Sequence, residues 1–399
     1  MTSSGTAQGV WDPEAAFAAM ATSPDVLLSD VYNELLEQEA VTRVGSPDGM
    51  WGIFTYADVV KVAGDYKTFS SVTPRPGAGR VLPLECDPPE HAQYRRMMNP
   101  SFAPAKIAEA ELDVRPFAAA MLDEMIAAGE ADFGATFAYE FPIRALCKFM
   151  RIPEDSWTEI RNWHHRLVYE GDQNEPGRPK RDEMVAEFVP YMMAIVGQRR
   201  ATPGDDVVTA IINGEVDGEP LDDIAIVGLM IALFMAGFTT TTGAIGNLVL
   251  RVAHDSELQA FLRANPDRVA DAVEESLRLD STQQTMHRIC TTDTELGGQR
   301  ISAGDYISLH FGSANVDERR WPNAATFDLD RKDKHQHLAF GRGVHKCYGA
   351  PLARMEMRVV LEELLARTDS FAISGPMRRL TWPAQKIETL PLSFVPRGS

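Results

Sequence analysis

The sequence predicts a mainly helical chain with small β-sheets, an α+β protein, on three observations. Helical periodicity dominates, as over 31–39, 105–128, 181–200 and 257–279. Strand signals are few and short, at 51–55, 305–310 and within 385–395. One stretch, 224–250, is apolar all round and carries no charged residue. A helix of that kind is either a membrane span or the central helix of a large core. The core reading is favoured, because Ala236-Gly237-Phe238-Thr239-Thr240-Thr241-Thr242-Gly243 lies in its middle, Asn247 follows, and no aromatic or basic anchors flank it. The tandem threonines are expected to bond back to carbonyls one turn earlier and to bend or open the helix there.

The 399 residues are read as one domain with peripheral termini, and nothing repeats at a fixed period. A formal charge of −18 opposes nucleic-acid binding and favours solubility. Against that background Arg331, Lys332, Lys334, Arg342, Lys346 and Arg354 form a basic neighbourhood, read as a dock for an acidic partner. Cys86, Cys147, Cys290 and Cys347 are widely separated, so reduced thiols in a cytoplasm are expected. Residues 1–30 hold no Lys or Arg and no sustained apolar run, so neither a signal peptide nor a transit peptide is expected. The last five residues, Val395-Pro396-Arg397-Gly398-Ser399, read as a protease-site remnant rather than native sequence. Two loops rich in Pro, Gly and charge, 71–83 and 171–183, are expected to cover a site.

The chemistry is concentrated in Phe340-Gly341-Arg342-Gly343-Val344-His345-Lys346-Cys347-Tyr348-Gly349. Gly341 and Gly343 permit positive φ and a tight turn, and Gly349 permits close approach of something bulky. Pro351 suits a first helical turn, and Ala353, Met357, Val360, Leu361 and Leu364 then recur as one helical stripe. Cys347 thus lies just ahead of a helix N-terminus, where the helix dipole and unpaired N–H groups lower a thiol's pKa. A lone thiolate with no Cys/His cluster is wrong for structural zinc and fits a single axial bond to haem iron. A buried cysteine in a glycine-rich hairpin is the alternative that these ten residues leave open.

The ten residues resemble the haem-binding loop of cytochromes P450, Phe-Gly-x-Gly-x-His-x-Cys-x-Gly, at every fixed position. The resemblance implies the fold of that family, with haem b between the long central helix and the cysteine-loop helix. It makes Cys347 the metal ligand and Phe340, Gly341 and Gly349 its companions at the cofactor. Ala236-Gly237-Phe238-Thr239-Thr240 resembles the family's Ala/Gly-Gly-x-Asp/Glu-Thr. By that resemblance Ala236, Gly237, Thr239 and Thr240 form the catalytic, oxygen side: Gly237 removes a side chain where oxygen must fit, and the Thr240 hydroxyl steers protons to dioxygen. Thr239 departs from the pattern, since a carboxylate is usual there. A hydroxyl is a poorer proton carrier, so water, Thr241 or the substrate has to contribute.

Glu275-Ser276-Leu277-Arg278 matches the family's Glu-x-x-Arg, a structural ion pair behind the ligand loop. The usual third member, an Arg before a Phe, is replaced by Thr326 before Phe327. Haem propionates need buried donors, and the matching positions are His91, Arg95, Arg288 and His345. The pocket is expected along Leu233, Ala236 and Gly237, the two covers, and Gln283-Gln284-Thr285-Met286, for a small organic substrate.

The function implied is a monooxygenase that places one atom of O2 in that substrate. No Gly-x-Gly-x-x-Gly follows a strand and no second cysteine cluster occurs, so electrons are expected from a ferredoxin and a ferredoxin reductase, with NAD(P)H acting only through them. A monomer is expected. The alternatives are a peroxygenase or a coupling or rearrangement enzyme of the same family, suggested by Thr239, and a haem sensor without turnover.

Overall fold

The organising element is the helix Asp223–His254. The Asp222 carboxylate caps it by accepting from the Ala225 N–H at 2.7 Å, and Asp255 beyond its end caps the next helix, Ser256–Ala264, through the Glu257 and Leu258 N–H groups. With no charge between the caps' first and last turns, this helix is free to be wrapped on several sides. Helices Tyr139–Phe149, Arg181–Ala201, Val269–Leu279 and Ala350–Arg367 and the strand Lys386–Thr389 pack against it. The computed structural model describes residues 10–38, 41–46, 49–73, 80–153, 155–166 and 181–398. Among them this is the single helix long and apolar enough to cross a membrane, and its packing makes it a core helix.

The threonines do not open it. The helix is continuous through them, and the Thr240 hydroxyl donates to the Ala236 carbonyl at 2.7 Å, the expected back-bond without the expected break.

The helix expected over 257–279 is two. It stops at Ala264, makes a short 3-10 turn at Pro266–Arg268 and restarts as Val269–Leu279. Pro266 has no N–H and forces Asn265 out of helical geometry, to φ −131 and ψ 69. The break matters for the site, because it turns the Glu275 face inward. Arg251 of the central helix then grips Asp280 with two hydrogen bonds of 2.6 Å, and Asn247 donates to the Asp280 carbonyl at 2.9 Å.

A six-stranded sheet runs in the order Val10–Trp11, Val41–Val44, Met50–Ile53, Tyr306–His310, Thr285–Cys290, Phe69–Ser70. Ile307 lies opposite Trp51 on one side and Arg288 on the other, so the register of this sheet sets where Arg288 stands. A smaller sheet pairs Pro391–Pro396 with Thr368–Ile373 and Glu130–Asp132. Val395 and Pro396 pair with Ser370 and Thr368, so the terminal segment contributes the end of a strand. Three hydrophobic clusters meet through shared residues, Tyr56 between the two sheet-side clusters and Phe327 between one of these and the helical core. Most of the two expected covers falls outside the described residues.

Candidate active site

The cysteine loop is a tight turn closed by its own backbone. The Cys347 N–H donates to the Phe340 carbonyl at 2.9 Å, and Gly341 N–H to the Leu338 carbonyl at 2.8 Å. Gly341 and Gly343 take φ of 67 and 72, as expected, and a Cβ on Gly343 would stand 2.3 Å from the Ala63 carbonyl oxygen. Gly349 has an ordinary φ of −76 and precedes the helix Ala350–Arg367; a Cβ there would meet only the Cys347 sulfur, at 3.7 Å. Phe340 lies under the Arg354 guanidinium, 4.5 Å from ring centre to Cζ. Cys347 is exposed, unlike the other three cysteines. The expected lowering of its thiol is opposed: the protein packed around the open sulfur desolvates it and pushes it up, while the N–H groups of Gly349 and Ala350 and the cations of Arg95 and Arg354 pull it down. Desolvation wins for the free thiol. The same four groups are the ones that stabilise the thiolate.

Behind the loop, Glu275 and Arg278 are fully buried and form a two-pronged pair, Nη2 to Oε1 at 2.7 Å and Nε to Oε2 at 3.0 Å. The network has a third member after all. Arg331 Nε donates to Glu275 Oε1 at 2.8 Å, and its other nitrogens reach the carbonyls of Pro322, Asn323 and Thr326. Thr326, standing where the arginine was sought, contributes only that carbonyl, which Arg278 shares at 3.2 Å. This corrects the basic dock: Arg331 is buried, Lys334 pairs with Asp271 at 2.8 Å, and Arg354 pairs with Glu274. The exposed cations of the six are Lys332, Arg342 and Lys346.

The four expected propionate donors converge from three elements. His91 and Arg95 sit on the helix Glu90–Met98, Arg288 on the strand Thr285–Cys290 and His345 in the cysteine loop. The His91 and His345 rings are 4.2 Å apart, and Arg95 donates to the Lys346 carbonyl at 2.8 Å. Arg288 is 5% exposed, and its one described hydrogen bond goes to the neighbouring His287 carbonyl, at 2.6 Å. Burial pushes its pKa down to about 10, partly offset by Asp87. Burial, Arg288, His91 and Arg95 together push His345 down to about 3, and its Nε2 is buried without a hydrogen-bond partner among the described residues. Asp87, 3.9 Å from that nitrogen, was not foreseen; its position just ahead of His91 was the available signal. His91 and Arg288 are buried and Arg95 and His345 half-buried, and a set of donors this poor in acceptors fits the two carboxylates of a haem.

On the central helix Ala236 is exposed, while Gly237, Thr239 and Thr240 are half-buried. Gly237 turns its missing side chain toward a neighbouring helix, where a Cβ would stand 3.2 Å from Leu146 Cδ2. Its smallness therefore serves helix packing, and Ala236 is the small residue on the accessible side. Thr239 Oγ1 lies 3.0 Å from His164 Nε2, a contact no sequence motif announced. Gln284 is buried, donating to the Ser281 carbonyl and accepting from the Tyr32 hydroxyl at 3.2 Å, so it is a core residue and not a pocket contact. Cys86, Cys147 and Cys290 are buried and unbridged, and burial pushes the first two up to about 12.

The family profile described as Cytochrome P450 matches residues 177–375. The chain is 32% identical over 367 residues to mycinamicin IV hydroxylase/epoxidase of Micromonospora griseorubida, covering 89% of this chain and 91% of that protein. It is 29% identical to linalool 8-monooxygenase of Pseudomonas putida, covering 88% of this chain and 91% of the relative. Among solved structures, a mutant of P450 EryK in complex with erythromycin B matches with a TM-score of 0.84 at 30% identity, over 93% of this chain and 97% of that one. The accessible cysteine, the converging donor set and these likenesses agree: the chain belongs to the cytochrome P450 family and is a haem-thiolate monooxygenase.

Proposed function

We propose that Cys347 would ligate a haem b through its thiolate, with His91, Arg95, Arg288 and His345 holding the propionates. Phe340, Gly341 and Gly349 would shape its sulfur side, and Ala236, Thr239 and Thr240 its oxygen side, with Gly237 letting the central helix pack close to Leu146. The observation that carries this reading is the convergence of buried Arg288 and His91 with half-buried Arg95 and His345 beside the accessible sulfur. When bound, the haem supplies the two-electron activation of dioxygen that places one oxygen atom in an organic substrate and releases the other as water.

The chain's own residues do the rest. Gly349 and Ala350 direct N–H groups at the sulfur, and the Glu275–Arg278–Arg331 network holds the segment that precedes the loop. Thr240 parks its proton on the Ala236 carbonyl until a better acceptor competes for it. Ala236 keeps the accessible face of the central helix small, which suits a small organic molecule; relatives named for linalool, mycinamicin and erythromycin hydroxylation support that class. Electrons come from a ferredoxin and its NAD(P)H-dependent reductase, with exposed Lys332, Arg342 and Lys346 as the docking cations. The protein works as a monomer in the cytoplasm.

The test is Thr240→Ala in the holoenzyme driven by a ferredoxin system. The share of reductant recovered as hydrogen peroxide rises severalfold if Thr240 manages proton delivery, and an unchanged share contradicts that role.

A further inference from the structure

Thr239 and His164 are 75 positions apart in the chain and meet at 3.0 Å. His164 closes the helix Ser156–His165 and is 1% exposed. Its ring stands edge-on to Phe238, with centroids 4.1 Å apart and planes at 81°, and Phe238 is held in turn by Tyr139 at 5.0 Å. The preceding residue fixes the helix: Trp163 donates to the Met184 carbonyl at 2.8 Å and stacks on Phe188 at 4.2 Å. The imidazole is therefore delivered to Thr239 by a packed element and not by a surface side chain.

A hydroxyl has one proton and must choose where to send it. Facing an unprotonated Nε2, Thr239 donates to the ring and turns its lone pairs elsewhere. Facing an Nε2–H, it accepts, and its own proton is free for another acceptor. The neighbouring Thr240 cannot set this choice, since its hydroxyl is committed to the Ala236 carbonyl.

We propose that His164 is a positioning residue of the monooxygenase reaction, fixing through its hydrogen bond the direction of the Thr239 hydroxyl on the oxygen side. The proposal rests on the reading of 236–240 as that side. It gives the threonine at the acid position a partner that orients its proton, as a carboxylate would not require.

The experiment uses the holoenzyme as its diamagnetic ferrous carbonyl complex, with 15N-labelled histidine. The His164 ring signals are assigned by their loss in His164→Gln. Thr239→Val should move the His164 Nε2 resonance and leave the other histidines in place; an unmoved resonance overturns the proposal. In parallel, the share of reductant lost as hydrogen peroxide is measured without added substrate, under a ferredoxin system. His164→Phe, which keeps a ring against Phe238, and Thr239→Val should each raise it about fivefold, the weight of one hydrogen bond. Their double variant should be no worse than either, and His164→Gln should recover part of the loss. Additive effects of the two variants, or a parent-like share in Thr239→Val, overturn it; the Thr239 arm stands even where His164→Phe fails to fold. A red-shifted Soret band of the carbonyl complex in every variant separates this outcome from failure of the haem-thiolate reading, which would show as its absence in the parent.

Discussion

Behind Cys347, charge meets charge: Glu275 binds Arg278 and Arg331, Glu274 binds Arg354 and lies 3.4 Å from His337, and Arg115 on the helix Pro104–Ala127 binds Glu362 and Glu363 on the cysteine-loop helix. Around Thr239 the described couplings are of another kind, a hydroxyl against an imidazole and, one residue on, a second hydroxyl against a carbonyl. The two regions flank one site with opposite materials. The buried pair Glu275–Arg278, with further hydrogen bonds from Arg331 and the Asp328 N–H, holds one geometry and tolerates no loss of a member. Hydroxyls and imidazoles exchange donor and acceptor roles at little cost, which suits a place where protons have to move.

The comparison is broken most severely at Glu275. Glu275→Ala leaves Arg278 and Arg331 buried without their carboxylate and should cost about 3–5 kcal/mol of unfolding free energy, with loss of haem on purification. A loss below about 1 kcal/mol in denaturant titration would place the pair among solvated ones. Arg288→Ala removes a buried guanidinium from the proposed propionate site. Its expected cost is about 1.5–3 kcal/mol in haem affinity, read as faster haem transfer to an apoglobin acceptor. An unchanged transfer rate would move the propionates elsewhere.

A smaller effect sharpens the electrostatic side. Glu356, fully buried on the cysteine-loop helix, has an oxygen without a partner among the described residues, and burial raises its carboxyl well above the ordinary 4.5. The folded state thus holds a proton that the unfolded chain releases above 4.5, and the stability it contributes is present below that pH and lost as pH rises toward the folded value. Glu356→Gln, neutral at every pH, should flatten this decline in unfolding free energy measured from pH 4.5 upward. A slope identical to the parent would show that Glu356 is ionised in the fold.

What was legible in the sequence follows the same division. The cysteine turn, the central helix and the Glu-x-x-Arg face are local patterns, set by glycine φ values, unbroken apolarity and i,i+3 spacing, and each stands where its residues predict. Arg331 was misread as a surface cation because its burial depends on a loop, 322–331, folding back over the helix Val269–Leu279. His164 was missed because a histidine beside another histidine at a helix end carries no signal until a distant helix packs on it. The break at Asn265-Pro266 was legible, and helical periodicity on both sides concealed it.

The central claim is that Cys347 supplies the thiolate, and the absorption spectrum of the reduced carbonyl complex tests it most directly. The parent protein should show the red-shifted Soret band and Cys347→Ser should lose it; survival of that band in Cys347→Ser would contradict the assignment.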